Sequence, residues 1–177
     1  MKHNRVDKFL GALVFLGLVC VFFILFNYRY GEYGGLITAS NIVILSFAYL
    51  TCDHRFFLGA GLGTMFGCLI LNVSHYAIGC LIIYSLEYII LVFLLKKVKH
   101  PIGQKIIPFL VSVLFFSLSF VVVDWLITQN IEYLFISSLY NTFEGVVSAI
   151  VVMMCLPLFD FMKEQLPKYT EVANESK

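Results

Sequence analysis

The sequence predicts an all-α polytopic membrane protein, six transmembrane helices in one compact bundle with both termini on the cytoplasmic side. Three observations carry that prediction. Of 177 residues, 60% are apolar and only 13% charged, against about 25% charged in a soluble domain, so lipid is the natural solvent. Apolar runs alternate with short polar turns along the whole chain. Every Lys and Arg except Arg29 falls in one of four places: the leader, the link between the second and third spans, the loop between the fourth and fifth, and the tail. An even number of spans returns the chain to its starting side, and the positive-inside rule makes that side cytoplasmic.

Taken in order, residues 1–8 form a polar leader with Lys2, Arg5 and Lys8. The first span runs from Phe9 to Phe26, and no small-residue cleavage site follows it, so it is read as retained. Asn27 to Gly35 is expected to be a loop whose Tyr28, Tyr30 and Tyr33 suit a headgroup belt. A second helix covers Leu36 to Thr51, and Cys52-Asp-His-Arg55 turns the chain into a third, inside the apolar run Phe56 to Leu71. After the turn Asn72 to Tyr76, the fourth helix spans Ala77 to Leu95. Lys96 to Lys105 is a solvated basic loop, and the fifth helix follows over Ile106 to Thr128. Gln129 to Tyr133 links it to the sixth, Leu134 to Phe161, where Pro157 is expected to kink or end the helix. The transmembrane domain thus occupies residues 9–162, and 163–177 form a polar, disordered cytoplasmic tail. Short links predict antiparallel packing of sequence neighbours.

The third helix carries Gly59, Gly63 and Gly67, spaced by four and therefore on one face. In a soluble helix each would cost roughly 1 kcal/mol against alanine; in lipid such a stripe lets another backbone approach. Helix packing is the role assigned to it.

Three carboxylates fall inside predicted spans: Glu87, Asp124 and Glu144. A charge at the bilayer centre costs at least about 2.5–3.5 kcal/mol, so each needs a partner or a proton. Asn141 and Glu144, three apart, share a helix face with each other. With the orientation above, Asp124, Asn141 and Glu144 lie in the outer half and Glu87 lies deeper. The four form either a ligand site or proton relay, or interhelical hydrogen-bond glue. Trp125 reads as an interface anchor, and Asn41 and Asn72 as residues that cap or bridge helices. His54 and His75 sit in turns without a second ligand at metal spacing, so no metal site is assigned. The five cysteines are odd in number, lie in or beside apolar segments and contain no CxxC, which makes them core residues.

No GxSxG, HExxH, P-loop or dinucleotide-binding turn is present, and a net charge of +1 is too small for a nucleic-acid surface. The chain is therefore expected to be non-enzymatic, without cofactor, with membrane lipid and other membrane proteins as its partners.

Several of these features together resemble the MreD family of rod-shape proteins. Gly61, Gly63 and Gly67 match that family's Gly-x-Gly-x-x-x-Gly pattern on the third helix, and Gly79 a further glycine twelve residues on. Asn41 after Ser40 matches half of a polar pair early in the second helix, and Asp124 matches an acid late in the fifth. Leu134-Phe-Ile-Ser-Ser-Leu-Tyr-Asn141 resembles the start of the family's sixth helix, and Leu156-Pro-Leu-Phe159 its end. Where members commonly carry Asp after the last glycine, this chain has Leu71 followed by Asn72. The resemblance spans Asn41 to Lys163. It implies a scaffold of peptidoglycan synthesis in the bacterial inner membrane, docking MreC, RodA and its transpeptidase, and MreB indirectly, with Gly79 among the packing residues. A second resemblance is to the S components of energy-coupling-factor transporters. Leu86-Glu-Tyr-Ile89 and Tyr140-Asn141 look like segments of their thiamine-binding members, which implies a vitamin ligand at Glu87 and Asn141 and a transporter scaffold with two ATPases. Those proteins carry an Ala-x-x-x-Ala-like stripe on the first helix, whereas this chain has Gly11, Ala12 and Gly17 there.

Overall fold

The computed structural model describes residues 3–98 and 101–175. Its elements are α1 (His3–Leu25), β1 (Asn27–Tyr30), β2 (Gly35–Thr38), α2 (Ser40–Thr51), α3 (Phe57–Ile70), α4 (Ala77–Lys97), α5 (Pro101–Thr128) and α6 (Ile131–Glu175). Single turns of tighter helix, His54–Phe56 and Ser74–Tyr76, lead into α3 and α4. Three stretches are long and apolar enough to cross a membrane: Ser74–Lys97, Lys105–Thr128 and Ile131–Glu164. Phe9–Leu25, Ser40–Thr51 and His54–Ile70 are shorter apolar helices.

The main contacts form a closed circuit: α1 on α3, α3 on α4, α4 on α5, α5 on α6, α6 on α2, and α2 back on α1. Sequence neighbours therefore pack together except at one step, where α1 lies between α2 and α3. The glycines explain the exception. A Cβ built at Gly63 would stand 2.8 Å from the Leu16 carbonyl oxygen, and one at Gly59 would stand 2.8 Å from the Phe15 ring. At Gly67 it would enter the Phe23 ring. The stripe is thus the seat of α1. Gly61, on another face of α3, meets the Leu81 carbonyl and Ser85 of α4, so α3 is held closely on two sides. Gly79 packs against Val123 of α5, 2.8 Å from where its Cβ would be.

The purely helical expectation is corrected at Asn27 to Thr38. This segment is an antiparallel hairpin with Asn27 opposite Thr38 and Tyr30 opposite Gly35, turning through Gly31 and Gly34 at φ +65° and +72°, where a side chain would be strained. The second helix accordingly starts at Ser40, not Leu36. The polar leader is helical from His3, α5 begins at Pro101 within the expected basic loop, and α6 begins at Ile131. Pro157 does not end α6, which continues as helix to Glu175 through the segment expected as a polar tail. Pro157 is on an exposed face, and its missing N–H costs α6 one intrahelical hydrogen bond without stopping the helix. Met1, Lys2, Lys99, His100, Ser176 and Lys177, parts of the expected leader, basic loop and tail, lie outside the described residues.

The two ends of the bundle differ chemically. At one end the hairpin lies over the helix ends: Arg29 donates to the Leu71 carbonyl, and His75 Nε2 lies 3.1 Å from the Tyr33 carbonyl oxygen. At the other, Lys105 pairs with Asp160 at 2.9 Å, Tyr49 donates to the same carboxylate at 2.5 Å, and Lys163 covers the Tyr49 ring.

Candidate functional site

The interior is apolar except for a polar column that begins beneath the hairpin and descends along α4. Cys80, Tyr84 and Tyr88 recur every four residues and therefore line one face of that helix, with Glu87 beside them and Tyr76 on the turn just before it. From Tyr76 to Glu87 the column is about 16 Å long at 1.5 Å per residue. It contains Glu87, Asp124 and Glu144, each essentially buried.

Asp124 sits at the hairpin end. Its Oδ1 accepts from Tyr76 Oη at 2.7 Å, and its Oδ2 accepts from Ser137 Oγ and, at 3.4 Å, from Asn141 Nδ2. Behind these donors stand two more hydroxyls, Tyr133 against Tyr76 at 3.1 Å and Tyr30 against Ser137 at 3.0 Å. The donor inventory closes without a cation, because every group around the carboxyl is one that can give a proton to it.

Glu144 comes next and ties the hairpin to the bundle. Thr38 donates its backbone N–H to Oε2 at 2.9 Å and its hydroxyl to Oε1 at 3.1 Å; Tyr84 donates to Oε1 at 3.2 Å. Ser40 supports the Thr38 hydroxyl at 2.8 Å. A strand end whose N–H would otherwise be buried without a partner thus finds one on α6, as buried backbone donors must.

Glu87 is deepest and least supported. Ser112 donates to Oε1 at 2.7 Å, whereas Oε2, both polar atoms of the fully buried Asn41 side chain and Ser85 Oγ have no hydrogen-bond partner among the described residues. Asn41 lies near enough to act on the Glu87 carboxyl. A chain of Tyr88, Thr51 and the Asp53 carbonyl closes the column at the lysine end, both steps at 3.1 Å.

Between the Asp124 and Glu144 groups lies a small cavity of about 20 Å³, walled by Tyr30, Thr38, Tyr76, Tyr84 and Asn141 on its polar side and by Phe23, Phe120, Cys68 and Cys80 on the other. That is room for about one water molecule. The Cys68 and Cys80 sulfurs are 3.3 Å apart, and all five cysteines are free thiols. On the outside, Tyr28, Ile37, Phe135, Ile136, Leu139, Tyr140 and Phe143 bound a wide apolar groove of about 900 Å³ between the hairpin and α6.

Asp124 and Asn141 are therefore in direct contact, Glu144 is held by different donors, Thr38 and Tyr84, that line the same cavity, and Glu87 stands apart below. Trp125 is half exposed beside Asp124, Asn72 occupies a left-handed turn position at φ 57°, and His54 and His75 fall in the two short helical turns. Residues that the sequence reading did not assign to the site are Thr38, Tyr76, Tyr84, Ser112, Tyr133 and Ser137. Tyr30, expected in a headgroup belt with Tyr28 and Tyr33, is instead buried on Ser137. For Tyr76, Tyr84 and Tyr88 a signal existed: hydroxyl-bearing rings eight and four residues apart in an apolar run, with Glu87 among them. Scans against protein-family models and against curated proteins find no match to this chain.

Proposed function

We propose that the chain is a non-enzymatic scaffold subunit of a bacterial cell-wall elongation complex, crossing the cytoplasmic membrane six times with both termini inside. The observation that carries this reading is how the acids are used. Asp124 and Glu144 accept hydrogen bonds from the bundle's own side chains and from the hairpin, and the cavity beside them is about 20 Å³, far below the few hundred Å³ of a small-molecule site. The acids then serve as interhelical glue, and what the protein offers to partners is its exterior. The apolar groove beside the hairpin suits a transmembrane helix, and the resemblance to MreD supplies the class of partner: single-pass MreC, with RodA and its transpeptidase, and MreB through them. The lysine end carries Arg55, Lys96, Lys97, Lys105 and Lys163, whereas Arg29 stands at the hairpin end, which supports a cytoplasmic lysine end.

The test is affinity purification in gentle detergent from the native host, with mass spectrometry of retained proteins and small molecules. Recovery of a single-pass membrane protein together with cell-wall synthases is the expected result. Recovery of a transporter scaffold with two ATPases, or of a stoichiometric vitamin, overturns it in favour of a substrate-binding S component. One observation favours that second reading: Glu87 and Asn41 keep unpartnered polar atoms in the centre of the bundle, below a cavity roofed by the hairpin. On it, Glu87→Gln abolishes binding of a vitamin such as thiamine without unfolding the bundle; on the scaffold reading, the purified protein binds none.

A further inference from the structure

Close packing of α3 on α4 brings two thiols together beneath the hairpin. Gly61 lets α3 meet the Leu81 carbonyl and Ser85 of α4, and Cys68, about two turns further along α3, comes round to the same side. Its partner there is Cys80, the residue before Leu81. The two sulfurs are 3.3 Å apart and both residues are buried, so closing the gap to the roughly 2.05 Å of a disulfide bond takes a shift of about 1.3 Å. Cys20, Cys52 and Cys155 are half-buried and lie on α1, at the end of α2 and on α6. Cys68 and Cys80 also line the cavity of about 20 Å³ under the hairpin, which admits a molecule of about water's size.

The turn between the two cysteines is where the hairpin sits. The Leu71 carbonyl accepts from Arg29, Val73 lies against Gly34, and His75 Nε2 is 3.1 Å from the Tyr33 carbonyl oxygen. Tyr76 closes the turn by donating to Asp124 at 2.7 Å. A bond between residues 68 and 80 encloses all four of these contacts in one covalent ring.

We propose that Cys68 and Cys80 are an oxidation site, at which hydrogen peroxide, a two-electron oxidant close to water in size, converts the two thiols to a disulfide that braces the hairpin's seat. One sulfur attacks a peroxide oxygen: an S–O bond forms, the O–O bond breaks, and the departing oxygen takes the proton this thiol gives up and leaves as water. The other sulfur, already in contact, attacks the sulfenic sulfur: the S–S bond forms, the S–O bond breaks, and hydroxide leaves with the second thiol proton as water. Two thiols and one peroxide become one disulfide and two waters, the sulfurs giving up the two electrons that the peroxide gains. The site is independent of the scaffold reading, since it requires neither a partner protein nor a given orientation in the membrane.

The experiment treats the reduced full-length protein in lipid vesicles with hydrogen peroxide, quenches with acid, alkylates in denaturant and maps the peptides by mass spectrometry. Cys68 and Cys80 should lose alkylation together and reappear as one linked peptide that dithiothreitol splits. If both stay alkylated after Cys20, Cys52 and Cys155 have oxidised, or if either accumulates as sulfinic acid with no linked peptide, the site is overturned. Dimedone, which traps sulfenic acids, should label Cys68 in Cys80→Ser and Cys80 in Cys68→Ser more than either in the wild type; equal labelling refutes resolution by the neighbouring sulfur. In the oxidised protein the amides of residues 71–76 should exchange at least about threefold more slowly than in the reduced one, with those of α5 unchanged. Equal rates at 71–76 refute the brace.

Discussion

Replacing Gly63 by alanine is the sharpest test of how the bundle is held together. A Cβ there would stand 2.8 Å from both the Leu16 carbonyl oxygen and Val19 Cβ, against 3.4 Å where ordinary contact begins, a shortfall of about 0.6 Å. One of the obstructing atoms is backbone, so no rotamer change relieves it and α1 must move as a body. Overpacking of this kind costs about 1–3 kcal/mol. Alanine also raises helix propensity by up to about 1 kcal/mol, which the measurement must separate from packing. Gly17→Ala supplies the control, because a Cβ there meets nothing within 4 Å while the propensity gain is the same. Unfolding of both variants in mixed micelles, followed by the single tryptophan, Trp125, should place Gly63→Ala below Gly17→Ala by about 1–3 kcal/mol. Gly59→Ala should fall between them, since the nearest obstruction there is the Phe15 side chain. If Gly63→Ala and Gly17→Ala unfold together, close contact along the stripe does not hold α1 to α3.

The hairpin should be anchored chiefly by α6. Glu144→Gln replaces one accepting oxygen by a donor opposite Thr38 or Tyr84, at a cost of about 1–3 kcal/mol, and should appear as faster amide exchange of Thr38 and readier proteolysis between Gly31 and Gly34. Tyr30→Phe removes only the hydrogen bond to Ser137 and should lower stability by about 1 kcal/mol, read by the same unfolding assay. At the lysine end, Lys105→Met breaks a pair whose side chains are 50% and 38% exposed; a loss above about 1 kcal/mol would contradict its exposure.

The helices were legible because apolar runs of span length are long-range signals that survive local ambiguity. The glycine stripe was legible for the same reason, since a spacing of four means one face whatever lies opposite. The hairpin was not. Its strands are four residues each, close to the shortest run in which alternation registers, and apolar Leu36 and Ile37 read as the first residues of the helix that follows, so the helix boundary was set early. The acids could be found by their cost in lipid, but their partners could not. Thr38 reaches Glu144 across 106 residues and Tyr76 reaches Asp124 across 48, and no spacing rule connects residues on different elements. Pro157 does not end α6: a proline removes one hydrogen bond and crowds the preceding turn of its own helix, and the remaining bonds of a long helix carry it past that point.

The closed circuit of helices also fixes an order of events during synthesis. The first helix made, α1, has its two neighbours, α2 and α3, soon after it, but α2 meets α6 only when about the last quarter of the chain has been added. Until then the nascent protein carries Thr38 and Tyr30 without Glu144 and Ser137, because both of those acceptors are on α6. Before α6 is made, the hairpin is tied across the bundle only by its contacts to Leu71 and His75. A chain cut before Ile131 should therefore show faster proteolysis between Gly31 and Gly34 than the full chain.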